Sequence, residues 1–329
     1  MRGALLTLFV LLGFPAFLSA QSVLPKIVPP ASVTATPSSP EPGEKVTIEA
    51  STPIFNRDTT FYEWTVNGQF RADLSGQGKY AFDMTAGKTI GSTITAFVRA
   101  TASDGKTTTA QRVIPVSSLS LVWFAETTVP LWYMGKALPS PRAFVSVTAL
   151  PEIAAGGKMA DPKKLLYKWS VGDTKSYASG VGKQSIRFQT SQIPKSSHWI
   201  RVTIEDTAKT VKKEGAIFVI NREPMLAVYR YSPTGGTEYR RAESLLEAPR
   251  GGTLNLIAEP FFFPGSTKDI SFAWSVGGIE LEKNVNNPNI VTIETGQVPS
   301  ASLLISILAS SLKQTALAPV AKTLTLFIR

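Results

Sequence analysis

Cysteine is absent from this chain and histidine occurs once, at His198. The first absence excludes a thiolate nucleophile, a zinc knuckle and any disulfide, and the second excludes a His-rich metal site or paired-imidazole chemistry. Clustered acids are missing too, with no Asp-x-Asp-x-Asp run among the 24 Asp and Glu. No window of 12 or more residues repeats its apolar positions at a helical period. After residue 20 no segment approaches the ~20 apolar residues that cross a bilayer. Leu303–Leu308 is too short and holds Ser306, so it reads as a strand. What remains is a chain of 329 residues, 43% hydrophobic and 18% charged, rich enough in apolar residues to bury cores. At roughly 100–200 residues per domain it should hold two or three domains.

The N-terminus reads as an address. Arg2 precedes an uncharged, largely apolar run from Gly3 to Leu18, with Pro15 near its end and Ser19-Ala20 before Gln21. A positive start, an apolar stretch and small residues at a cleavage position make a secretory signal peptide over residues 1–20, cut after Ala20. An uncleaved anchor is the alternative. The mature chain is therefore expected to be secreted, periplasmic or at the cell surface. Disulfides would be allowed there, so without them each domain must rely on its own apolar core.

Three segments look alike: 61–68 around Trp64, 166–173 around Trp169 and 271–278 around Trp274. Both gaps are 105 residues. Each segment has an aromatic two positions before the Trp and a Val two positions after it, and ends in Gly or Asn turn residues. That is the two-residue alternation of a strand with one apolar face. Residues 121–124 recur at 226–229, and the pattern of 43–50 recurs at 251–258. Self-similarity at a fixed period means tandem copies of one module. Within the copies, Ile94–Ala100 and Thr107–Val116 flank Asp104-Gly105, a strong hairpin signal. Trp199–Ile204 with Ala216–Ile220, and Leu303–Leu308 with Lys322–Ile328, form comparable pairs. Short strands, frequent Gly and Pro, and about 100 residues per copy predict all-β architecture with three tandem β-sandwiches.

The Tyr-x-Trp-x-Val-x-Gly strand of the first copy, with Ala96–Ala102, Asp104-Gly105 and Thr107–Val116, resembles a PKD-like or bacterial Ig-like module. PKD modules usually follow the Trp strand with Gly-Asp-Gly, whereas this chain has Asn67-Gly68, Gly172-Asp173 and Gly277-Gly278. The whole chain is similar to exported multi-Ig proteins of bacteria, some of which lie near pilus systems. That resemblance implies surface or envelope association and no chemistry. The expected organisation is a signal peptide (1–20), a Pro-rich leader (21–42) and three modules (43–118, 119–222 and 223–329). The leader should be extended and semi-rigid, carrying Pro25, Pro29, Pro30, Pro37, Pro40 and Pro42. Stretches 124–141 and 230–249 look like equivalent excursions. The junctions near Ser117-Ser118 and Asn221–Pro224 are short and favour a stiff rod.

Each motif with a chemical reading also has a structural one. Gly180-Val-Gly-Lys-Gln-Ser185 invites a phosphate loop, but Tyr177 occupies the position that needs the first Gly. The same turn recurs as Ser75-Gly-Gln-Gly-Lys79, as a copied hairpin would. His198 lacks a marked partner or nucleophile. Asp104, Asp173 and Asp206 are loop oxygens of the kind calcium takes, but they are not clustered, so no metal, cofactor or catalytic residue is expected. Among the aromatics Trp123, Phe124, Trp132, Tyr133 and Phe261–Phe263, Trp123 reads as core. Trp132-Tyr133, between Pro130 and Gly135, is a candidate partner contact, with packing of the loop on a sandwich as the other reading.

Charge is distributed unevenly. Residues 119–222 carry 15 basic and 7 acidic side chains, a net of +8, against +1 for 21–118 and zero for 223–329. Lys163, Lys164, Lys212 and Lys213 lead this excess and are candidate contacts to an anionic envelope polymer, a membrane surface or an acidic protein. Because Lys outnumbers Arg there, a sequence-reading nucleic-acid site is not expected. The function expected is a non-catalytic structural or adhesive protein of a bacterial envelope. A carbohydrate-binding or scaffold part of a secreted enzyme system is the alternative, and an enzyme is the reading the composition opposes.

Overall fold

The computed structural model describes residues 30–155, 158–209, 211–282, 284–296 and 301–329. The signal peptide assigned to 1–20 and the first part of the leader lie outside the described residues. The described residues form an all-β, multi-domain structure. Among the described residues the only helical pieces are two 3-10 turns, Pro162–Lys164 and Thr267–Asp269.

Each repeat folds as two facing sheets. In the first, Ser32–Thr36, Lys45–Ser51 and Ala81–Thr85 face a sheet centred on the paired strands Phe61–Val66 and Thr93–Thr101, with Thr107–Pro115 beyond. In the second, Ser185–Gln189, Phe144–Glu152 and Ser118–Ala125 face the order Thr174–Val181, Leu166–Val171, Ser197–Glu205, Lys212–Ile220. The third repeats this plan around Thr253–Phe261 and Ile270–Val276. All three predicted strand pairs are present as antiparallel ladders. Burial alternates along them, as in Lys45–Ser51 and Thr93–Thr101, because the pleat sends successive side chains to opposite faces.

The three tryptophans hold one position. Trp64, Trp169 and Trp274 lie opposite Val98, Val202 and Ile307 on the neighbouring strand. Their exposures are 0%, 1% and 5%. Each indole N–H donates to a backbone carbonyl 14 or 15 residues on: Lys79 and Lys183 at 2.9 Å, Pro288 at 3.2 Å. A buried indole needs such a partner, and the module supplies one each time. Three separate apolar cores surround these residues, so every module buries its own interior.

Two expectations about the connecting segments change. Ser32–Thr36, assigned to the leader, is the first strand of the first module and pairs with Lys45–Ser51. Its alternating burial, with Val33 and Ala35 inward, is the reason. The excursions 124–141 and 230–249 are not equivalent. The later one contains strand Leu245–Ala248, which pairs in parallel with Val320–Ile328 of its own module. The earlier one leaves its module and packs on the next.

Candidate functional site

The Gly-rich turns serve the tryptophans. The carbonyls of Lys79 and Lys183, which end the two copies, are the acceptors of the Trp64 and Trp169 indoles. The amide of Gly78 donates to Thr60 O and that of Gly182 to Leu165 O. Gly182 has φ +69° and a Cβ there would stand 2.8 Å from Lys163 O, so glycine is required by a close backbone approach. Amides already committed inside the module cannot cradle a phosphate.

His198 is equally committed. Its Nε2 accepts the Ser191 N–H at 3.2 Å, and its ring lies 5.7 Å from that of Phe188. Burial pushes its pKa below the ordinary value, against a smaller opposing effect of Asn221. A depressed folded pKa means that the unfolded chain binds the proton more readily. The His198 contribution is present above the ordinary value of about 6.5 and is lost as pH falls from there toward the folded value. The melting temperature of the middle module should therefore fall between pH 7 and pH 5. His198→Gln should flatten that slope, and an unchanged slope would refute the assignment.

Asp104 accepts from Lys106 in its turn, and the Val211 amide donates to Asp206 at 2.8 Å. Among the described residues no group of three or more acidic or imidazole side chains is placed to hold a metal. Nor is any helix among them long and apolar enough to cross a membrane.

The candidate contact residues lie at the two ends of the middle module. Lys163 and Lys164 are exposed in the turn Pro162–Lys164. The register from Leu166 to Glu205 to Lys212 puts that turn at the same end of the sheet as Lys212. Lys212 is exposed and paired with Glu214. Lys213 does not belong to the solvated basic face. It is 7% exposed, and its ammonium donates to Ser39 O and Ser117 O, both at 2.9 Å, and to Glu41 at 2.8 Å. The Ser39 and Ser117 carbonyls belong to the first module and its exit, so this one cation ties the Pro-rich segment to the middle module. Strand parity carried the signal for this: Lys213 falls on the inward side with Ile217 and Val219.

Trp132 and Tyr133 face the third module. They pack with Val129 and Leu138 against Ala227, Tyr229, Phe261 and Phe262. The Trp132 ring lies 4.7 Å from Tyr239, 5.8 Å from Tyr229 and 6.0 Å from Phe261. Backbone bonds seal the same seam: the Thr128 amide donates to Phe263 O and the Phe262 amide to Thr128 O. Phe262 takes φ +63°, a left-handed turn unusual for a bulky residue. The twist lets three successive phenylalanines all be buried, with Phe261 and Phe262 in the seam and Phe263 in the third module's core. Glu259 lies beside this cluster and accepts from Tyr239 at 3.2 Å. Burial raises its pKa; the Tyr239 bond and the nearby Trp132 indole pull it down by less. The indole N–H completes no regular hydrogen bond of its own.

One pair of aromatics escaped the sequence reading. Trp199 and Phe218 stand opposite each other on the outer face of the middle module, 40% and 62% exposed. The signal was parity again: Ile200, Val202 and Ile204 face inward, so Trp199 and Arg201 face out. Trp123 lies between core and surface, with the Lys136 ammonium 3.2 Å over its ring.

No protein-family model matches the chain, and comparison with curated proteins finds no match either. Solved structures similar to it include the three N-terminal domains of the outer capsid protein Hoc of bacteriophage RB49. That pair shares 13% identity over 91% of this chain and 98% of the other, with a TM-score of 0.26. The central fibronectin-III array of RIM-binding protein is similar at 11% identity, over 87% of this chain and 93% of the other, with a TM-score of 0.30. A Bacteroides ovatus SGBP-B from a mixed-linkage glucan utilisation locus is similar at 9% identity, over 88% of this chain and 64% of the other, with a TM-score of 0.23.

Proposed function

We propose that this chain is a non-catalytic, exported structural and adhesive element of a bacterial cell envelope. The observation that carries the proposal is the pair of interlocked junctions. Lys213 bolts the first seam through buried carbonyls, and the Trp132–Phe262 cluster with its backbone bonds closes the second. Such seams let three sandwiches move as one stiff body that holds its ends apart, which suits a spacer or surface element. The groups that looked chemical support the same view. The Gly-rich turns cap tryptophans and His198 receives a backbone amide, so their polar atoms are spent on architecture. The +8 charge of residues 119–222 supplies an attraction to anionic envelope material.

Expression of the full chain in a bacterium, followed by fractionation and N-terminal sequencing, tests this. The expected product begins at Gln21 and is found outside the cytoplasm, and deleting residues 1–20 traps it inside. A product that retains Arg2 would make it an anchored protein. A full-length chain confined to the cytoplasm would overturn the envelope role.

A further inference from the structure

We propose that the outer face of the middle module's four-stranded sheet, centred on Trp199, Phe218 and Arg201, binds an anionic polysaccharide. The site deepens the adhesive role proposed above and rests on it. Trp199 and Phe218 are direct cross-strand partners, and their rings lie nearly parallel, 10° apart in plane with centroids at 5.5 Å. Two large aromatics left this open to water form an apolar surface that the sandwich itself does not use. Arg201, two residues along the same strand, lays its guanidinium 3.4 Å over the Trp199 ring. Among the described residues Arg201 forms no ion pair, whereas Lys168 and Lys212 of the same sheet are paired with Glu205 and Glu214. The face therefore offers the open ring of Phe218 beside a Trp199 ring that is capped by a guanidinium whose outer edge can take an anion.

This combination fits a polymer of acidic sugars. A sugar ring presents a C–H-rich face that stacks on an aromatic, and the uronate carboxylate at its edge meets Arg201 in the same contact. Guanidinium is well matched to that carboxylate, because its planar fork pairs with it through two bonds. Charge selects against the other occupants of such a face. Two copies brought together here would oppose modules of net +8 each.

The test uses the full mature chain and polygalacturonate, with neutral dextran as the comparison, read by calorimetry. The expected result is saturable binding of polygalacturonate only, weakening between low and physiological salt as screening shortens to about 8 Å. Trp199→Ala and Phe218→Ala should each lose about tenfold in affinity, as central anchors do. Both positions face solvent, so circular dichroism should show intact folds. Arg201→Gln should keep the platform yet lose the preference for the acidic polymer. The double variant K163Q/K164Q, which removes more charge elsewhere, should leave binding unchanged. Absence of binding, equal affinity for dextran, or losses in K163Q/K164Q matching those in Arg201→Gln would each overturn the site. So would self-association at this face, seen as a dimer that Trp199→Ala dissolves. Failure here with normal export would remove the site alone, whereas cytoplasmic retention would remove the envelope role and leave the binding result standing.

Discussion

Trp169→Ala should unfold the middle module with a loss of about 3–5 kcal/mol, the range for removing a fully buried aromatic. Two effects add in that figure. The indole is 1% exposed within a core of Val145, Val147, Ile200 and Val202, so its removal leaves a cavity that rigid neighbouring strands cannot close. It also leaves Lys183 O without the N–H that satisfies it. Trp169→Phe separates the two: most packing stays while the bond goes, so the loss should be smaller, about 1–2 kcal/mol. Trp64 and Trp274 should behave alike in their own modules. Trp274 should be mildest of the three, having the longest indole bond at 3.2 Å and the greatest exposure at 5%. Hydrogen exchange mapped along the chain checks this, because it assigns the loss to one module. An effect below 1 kcal/mol, or one spread evenly over all three cores, would contradict equivalence of the repeats.

Lys213→Ala should uncouple the first module from the second at a cost of about 3 kcal/mol, from two buried carbonyls left unpaired and the stem packing removed. All three ammonium protons have acceptors, two of them backbone oxygens of the almost fully buried Ser39 and Ser117. Lys213→Met restores the stem without the charge and should recover only the packing part. Glu41→Gln should be milder, because Glu41 is half exposed and the carbonyls still hold the cation. Calorimetry reads the outcome as a separate, earlier transition of the first module in Lys213→Ala. If Lys213→Met melts as the parent does, the ammonium is not the bolt.

The two substitutions differ in how far the sequence foretold them. Trp169 was legible because its environment is copied: the same flanking residues recur at the same distance, and a copied strand keeps its core position. The charge count groups Lys213 with the candidate contact lysines, since a run of lysines says nothing about which one faces inward. Its parity with Ile217 and Val219 held the answer. The same parity would have separated Trp199 from the buried aromatics. Trp132 and Phe262 gave no such signal. Their partners lie in another module, more than 90 positions away along the chain for Trp132 with Tyr229.

The sequence by itself determined the number of modules, the strand that carries each tryptophan, and the hairpins that follow. These depend on the two-residue pleat and on turn residues a few positions apart, which any stretch of chain expresses locally. Only the tertiary structure decided how the modules meet. That required Phe262 in a left-handed conformation, an excursion that crosses to the next sandwich, and an ammonium of the middle module enclosed by carbonyls of the first. Such contacts have no period, and their worth comes from shape and burial that exist only once both modules are folded and docked.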